Sequence, residues 1–331
     1  MKIHINFLKY LYDKLNLKYT YDEQRYNELI NEYHIKKQSI SKPANRIIFM
    51  CDGRLYHGGL TDRLKGILST YYLAKKFKKP FYINWISPFQ LEKYLMPNCY
   101  DWRVSSEDIN YDKRSSYPLV FSEYPPKYYK KRNILSYLIF MKWLHEKNRD
   151  KHVYTNFYFP KKKFPILYNE LFKLSPLLSS LIDKHLMKLG NHYWSFSFRF
   201  HCLLGDFNDI IDSSPLDPKD AEELINKNIN EFVSLAKMLP EGYKCFITSD
   251  SQTFLKRIKL IDPRIYIVQG HISHIDLDKG TENDWSKLFI DQNLIMRSEK
   301  VFLLKTDNMY KSGFAKFAAL IGGKEFIYHC F

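Results

Sequence analysis

The sequence has no CxxC pair, and its five cysteines, Cys51, Cys99, Cys202, Cys245 and Cys330, are odd in number and widely spread. That argues against a disulfide framework and against a zinc site, and it predicts a reducing, cytoplasmic compartment. No segment reaches the roughly 18 apolar residues of a membrane span. Lysines interrupt every apolar stretch of the opening MKIHINFLKYLYDKLNLKY, so a signal peptide is not expected there either. The motifs HExxH, GxSxG and GxxxxGK(S/T) are missing, which removes the common hydrolase and NTPase signatures. Internal repeats and low-complexity tracts are absent as well.

Acidic residues are scarce: 36 Asp and Glu face 51 Lys and Arg, a formal net charge of +15. The excess concentrates in residues 127–163, where eleven Lys and Arg meet two acids, Glu146 and Asp150. The same segment holds the apolar run ILSYLIFMKWL, residues 134–144. Basic residues around an aromatic, apolar stretch suit peripheral contact with an anionic membrane by a protein acting on a lipid-linked acceptor. A core helix with solvated lysines on its outer face accounts for the same pattern. No nucleic-acid motif accompanies the charge, so nucleic acid is not an expected partner.

What is present is an α/β pattern. Residues 45–85 read as strand, glycine-bearing loop, helix and strand: a continuous apolar run at 47–50, helical spacing of Leu64, Ile67, Leu68, Tyr71, Tyr72 and Leu73, and a second run at 81–84. Residues 1–44 read as a helical arm, and 101–126 as loops with a short strand at 119–121. Helical period over 168–189 links the halves, with a boundary set near Gly190. Beyond it strands and helices alternate, with strands at 194–200, 244–248, 265–268 and 301–304 and a last helix at 313–321, which predicts a second parallel sheet. The resulting domains are 1–44, 45–189 and 190–331.

Candidate site residues fall on loops after strands, where open α/β sheets bind ligands. Gly58 and Gly59 allow close backbone approach, with Asp62 and Arg63 in the first helical turn beyond them. A plain Gly-Gly turn with a solvated Asp-Arg pair is the bland alternative. Arg199, at a strand end, can grip a diphosphate with its planar fork of donors, or can pair with Asp206 or Asp209. Asp250 can accept from a ribose or base edge beside Ser251, although both can simply cap a helix. Ser312 and Gly313 head an Ala-rich helix whose amides can meet a phosphate, or serve as an ordinary cap. Asp276 and Asp278 form a DLD triplet without a third ligand at evident spacing, and His271 with His274 fits a nucleotide-lining loop better than a metal site. No metal site is expected.

The run HGGLTDRLKGILSTYYLAKKFKKPFYINW resembles the opening of the nodulation-type and α-1,6-fucosyltransferase group, with its loop GGxxDxLxxxxxAxxxAxxxxRxxxIxW. The later order is similar to the three donor motifs of that superfamily: an arginine motif after a strand, a T(S/D)D-type strand end, and a serine before a small-residue helix. The block SFRF with LLGDF also looks like bacterial capsule and lipopolysaccharide synthesis proteins. The resemblance covers residues 45–85 and 193–323. It implies a GT-B architecture, two Rossmann-like domains with parallel sheets facing a central cleft, and metal-independent inverting transfer from GDP-β-L-fucose without a cofactor. It assigns Arg199 to the β-phosphate, Asp250 and Ser251 to the nucleoside, and Ser312 and Gly313 to the phosphates. Asp291 matches the acidic position for guanine or ribose, and Gly58, Gly59, Asp62 and Arg63 would face the same cleft. Asp62 is the candidate general base, as the carboxylate on the glycine loop.

The departures are specific. The family's first donor motif is HxRR or HxRxxD, whereas here Ser197 takes the histidine position, Phe200 follows the arginine, and the next acid is Asp206. The second phosphate-binding arginine is missing, leaving Arg63, Lys305 or Lys311 to replace it, or another donor to be used. A transferase for another nucleotide sugar and a non-catalytic carbohydrate-binding protein are therefore the alternatives to fucosyl transfer onto a glycan or lipid-linked acceptor.

Overall fold

The computed structural model describes residues 23–35, 45–121, 138, 140–142, 144–200, 216–276, 280–306 and 309–331. Two compact units result, one of Met1–Leu91 with Pro97–Lys163 and one of Glu92–Met96 with Phe164–Phe331. Most of the arm, the apolar run's first half and the loop 201–215 with Asp206 and Asp209 lie outside the described residues.

In the first unit, α1 (Glu23–Ile35) precedes β1 (Ile47–Cys51), α2 (Leu60–Phe77), β2 (Phe81–Trp85), β3 (Ser116–Phe121) and β4 (Asp150–Thr155). The strands form one parallel sheet in the order β2-β1-β4-β3. Every residue of β1 is buried, because α2 covers one face and α1 brings Leu29 and Tyr33 against Ile48, Met50, Val120 and Tyr154 on the other. Helix α2 approaches unusually closely: a Cβ on Gly66 would lie 2.0 Å from Thr155 O and 2.9 Å from the Phe49 ring. Only glycine fits that contact.

Strand β4 is not legible as an apolar run, because it carries Asp150, Lys151 and His152, all buried. Each has an internal partner, although His152 Nε2 has none among the described residues. Asp150 takes the Arg46 backbone N–H and guanidinium at 2.8 and 2.9 Å. Lys151 Nζ donates to Arg149 O (2.7 Å) and pairs with Glu146 (3.2 Å). His152 Nδ1 lies 2.5 Å from the Tyr33 hydroxyl of α1. Burial, with Arg46 and Arg54 nearby, lowers the His152 pKa from the ordinary 6.5 to about 3. Burial and Arg63 do the same to His57, also to about 3.

The second unit runs α3 (Phe164–Leu171), α4 (Pro176–Leu189), β5 (Tyr193–Phe198), α5 (Pro218–Ala236), β6 (Lys244–Ser249), α6 (Gln252–Ile258), β7 (Ile265–Tyr266), α7 (Glu282–Arg297), β8 (Lys300–Lys305), α8 (Phe314–Gly322) and β9 (Glu325–Cys330). Its parallel sheet has the order β9-β8-β5-β6-β7. Alternation along β5 separates two faces. Trp194, Phe196 and Phe198 enter the core with α5 and α6, while the Tyr193 hydroxyl donates to Leu294 O of α7 at 2.8 Å. Asp217 and Pro218 start α5 as their types predict, Asp217 accepting from Lys219 N–H.

The units divide at Lys163 and not near Gly190, since α3 packs on α8 and α4 on α7. Residues Glu92–Met96 also join the second unit: Tyr94 stacks on Phe289 at 4.6 Å and its carbonyl accepts from Ser175 N–H at 2.9 Å. Strand β9 extends the sheet beyond the helix expected to end the series.

Gly66→Ala is expected to destabilise the first unit by about 3 kcal/mol or more, at or beyond the top of the overpacking range, because a backbone oxygen stands in the way; denaturant unfolding measures it. The two histidines set a pH dependence. Their folded pKa values are depressed, so the unfolded chain binds more protons between about pH 3 and 6.5, and stability falls as pH drops through that window. The urea midpoint should therefore decrease from pH 7 to pH 5, by up to about 1.4 kcal/mol per pH unit for each histidine, and His152→Asn should flatten the slope.

Candidate active site

Strand β5 is the first of its sheet; β6 is added on one side and β8 on the other, so the topology reverses at β5. Open sheets bind ligands at the carboxyl ends flanking such a point. The registers pair Leu304 with Phe198 and Phe198 with Ser249. One step further along, Lys305, Arg199 and Asp250 stand abreast on three neighbouring strands.

Arg199 is largely buried, and its Nε lies 3.5 Å from Asp250 Oδ2. Burial lowers the guanidinium pKa, with Asp250 and then Tyr310 opposing that shift. Asp250 is buried too, and its Oδ1 accepts the Phe200 backbone N–H at 2.8 Å. One carboxylate thus holds both the side chain and the chain direction at the end of β5. Ser251 caps α6, accepting from Phe254 N–H at 3.1 Å.

A backbone relay ties the third loop to the arginine. Tyr310 N–H donates to Arg199 O and Ser312 N–H donates to Tyr310 O, both at 3.0 Å. Ser312 Oγ accepts from Phe314 N–H at 3.2 Å, and Gly313 is the N-cap of α8. Arg199, Asp250, Ser251, Ser312 and Gly313 therefore gather at one sheet edge. Asp291 sits apart on α7, buried and bonded through Oδ2 to Lys287 Nζ at 2.5 Å, while its Oδ1 has no hydrogen-bond partner among the described residues. Burial raises its pKa.

In the first unit, Gly58 (φ +83°) turns the chain after β1, and Gly59 is the N-cap of α2. Asp62 is partly exposed, with Lys65 Nζ 2.9 Å from Oδ1. Arg63 turns inward: Nε donates to Gly58 O (3.1 Å), Nη1 to Ser87 O (2.9 Å) and to Cys51 Sγ, and the guanidinium lies 5.2 Å from the Trp85 ring centre. It braces the glycine loop against the loop after β2.

Three features have little sequence signal. Arg54 and the fully buried Asp52 carboxylate pair at 2.6 Å, with the Tyr154 hydroxyl donating to the same carboxylate at 2.9 Å. Tyr310, 46% exposed, contributes through its backbone. Thr306, one residue beyond Lys305, is buried with Oγ1 lacking a partner among the described residues. Strand register would have found Thr306; nothing local marks the other two. Among the described residues no group of three His, Cys, Asp or Glu could hold a metal ion, and Asp278 lies outside them. No described helix is long and apolar enough to cross a membrane.

No family model matches the chain, and no curated protein matches it in sequence. Solved structures are. The Bradyrhizobium NodZ α-1,6-fucosyltransferase soaked with GDP-fucose superposes with a TM-score of 0.55 at 14% identity, over 83% of this chain and 92% of NodZ. A mutant of Arabidopsis thaliana FUT1 in complex with GDP gives 0.57 at 12% identity, over 97% of this chain and 78% of FUT1. At such identities the likeness is one of architecture, and that architecture is the fucosyltransferase-like GT-B fold.

Proposed function

We propose that the protein is a glycosyltransferase that moves L-fucose from GDP-fucose to a glycan or lipid-linked oligosaccharide, as an inverting, metal-independent enzyme of surface polysaccharide synthesis in the cytoplasm. The observation that carries this reading is the row of Lys305, Arg199 and Asp250, joined by the Tyr310 relay to Ser312 at the head of α8. A pyrophosphate needs convergent cations and backbone amides, and this edge offers both. The similar folds of NodZ, soaked with GDP-fucose, and FUT1, in complex with GDP, support the same donor.

The chemistry is a single in-line displacement. The acceptor oxygen attacks the anomeric carbon as the bond to the β-phosphate oxygen breaks, and Asp62 accepts the acceptor's proton. Arg199 stabilises the departing GDP, with the amides near Ser312 and Gly313. Lys305 stands in for the missing second arginine, being the cation abreast of Arg199, while Arg63 braces the Gly58–Gly59 loop. Asp250 and Ser251 border the nucleoside, and Asp291 acts on it through its pairing with Lys287.

Arg199→Ala should lower transfer by about a hundredfold or more with the fold intact, as loss of a charge-stabilising donor does; a variant with full turnover would sink the assignment. Lys305→Ala should weaken GDP-fucose binding by about tenfold or more, the value of one charged hydrogen bond. Calorimetric titration reads this, and parallel titrations with UDP-sugars and other GDP-sugars identify the donor.

A further inference from the structure

Within the first unit, α2 carries Lys65, Ser69, Tyr72 and Lys76 at spacings of four, three and four, a single stripe along the helix. The chain leaving β4 is fastened to that stripe. Ser69 Oγ donates to Phe157 O at 2.7 Å and accepts from Phe159 N–H at 3.0 Å. Tyr72 meets Phe159 edge-on at 6.1 Å. The ammonium groups of Lys65 and Lys161 lie 5.0 and 4.5 Å from the centre of the Tyr158 ring.

Phe159 is 42% exposed, and the turn Lys161–Lys163 that follows presents three exposed lysines. Lys76 is exposed as well, and Asp62 is an acid at the stripe's end, already paired with Lys65. Flexible ammonium groups interleaved with amphipathic rings and one outward phenyl match an anionic lipid headgroup layer, where lysines meet charge and aromatics enter the interface. Double-stranded nucleic acid would leave the phenyl unused. The loop also continues from the carboxyl end of β4, the neighbour of β1, so it borders the same sheet edge as the Gly58 loop.

We propose that this loop, with Lys76 beside it, docks the protein on an anionic bilayer, so that its acceptor is a lipid-linked glycan presented at that surface. The identity of the acceptor rests on the transferase reading; the docking itself does not.

The test is cosedimentation of the full chain with vesicles of phosphatidylcholine alone and with a quarter phosphatidylglycerol. Binding should require phosphatidylglycerol and weaken as salt is raised. Lys162→Glu with Lys163→Glu should weaken it by about twentyfold or more, and Phe159→Ser by about tenfold, with GDP-fucose affinity of each variant unchanged by calorimetry. Equal binding to both vesicles, binding to neither, variants that bind like the parent, or displacement from vesicles by duplex RNA at equal phosphate would each overturn the proposal. Vesicle binding in a chain that binds no nucleotide sugar would instead keep the surface and remove the transferase reading.

Discussion

The candidate site depends on one buried carboxylate. Asp250 takes the Phe200 N–H with one oxygen and faces Arg199 Nε with the other. Burial lowers the Arg199 pKa, and the charge of Asp250 opposes that shift. Asp250 also fixes the backbone beyond β5, so the guanidinium is held in a set direction.

The first unit solves a different problem. Its sheet is sandwiched between α1 and α2, yet β4 brings a lysine, a histidine and an aspartate into the middle. Two of these find partners on other elements and act as fasteners: Asp150 holds Arg46 at the entrance to β1, and His152 holds Tyr33 of α1; Lys151 is held by Arg149 O and Glu146 just before its own strand. Buried groups of this kind tolerate only one register, since a one-residue slip would orphan all of them. Close contact at Gly66 adds a steric lock of the same specificity.

Much of this was legible beforehand. The runs at 47–50 and 81–84 became β1 and β2, and the arginine, the TSD strand end and the serine-headed helix lie at one edge. Strand β4 was hidden because DKHVYT is polar, and the partners of Asp150 and His152 that make its burial tolerable are remote in sequence. The separation at Lys163 was hidden because α3 and α4 are amphipathic whichever unit they cover. Arg63 looked outward from its place at the head of a helix, where a cation is disfavoured; the geometry resolves that conflict by giving it carbonyls of Gly58 and Ser87. Lys305 was one of three cations named from the sequence, and the strand register is what sets it, rather than Arg63 or Lys311, abreast of Arg199.

The strap at Tyr94 bears on how the polypeptide is made. Its hydroxyl reaches the Glu282 carbonyl across 188 positions, and its ring waits for Phe289. During synthesis the second unit thus has its first piece emerge before the bulk of the earlier unit is complete, and Tyr94 cannot make its native contacts with α7 until α7 leaves the ribosome. Such a long closure slows assembly and leaves an aromatic exposed meanwhile. For the same reason the second unit is not a contiguous stretch of chain: a fragment begun at Phe164 would present a bare Phe289 face.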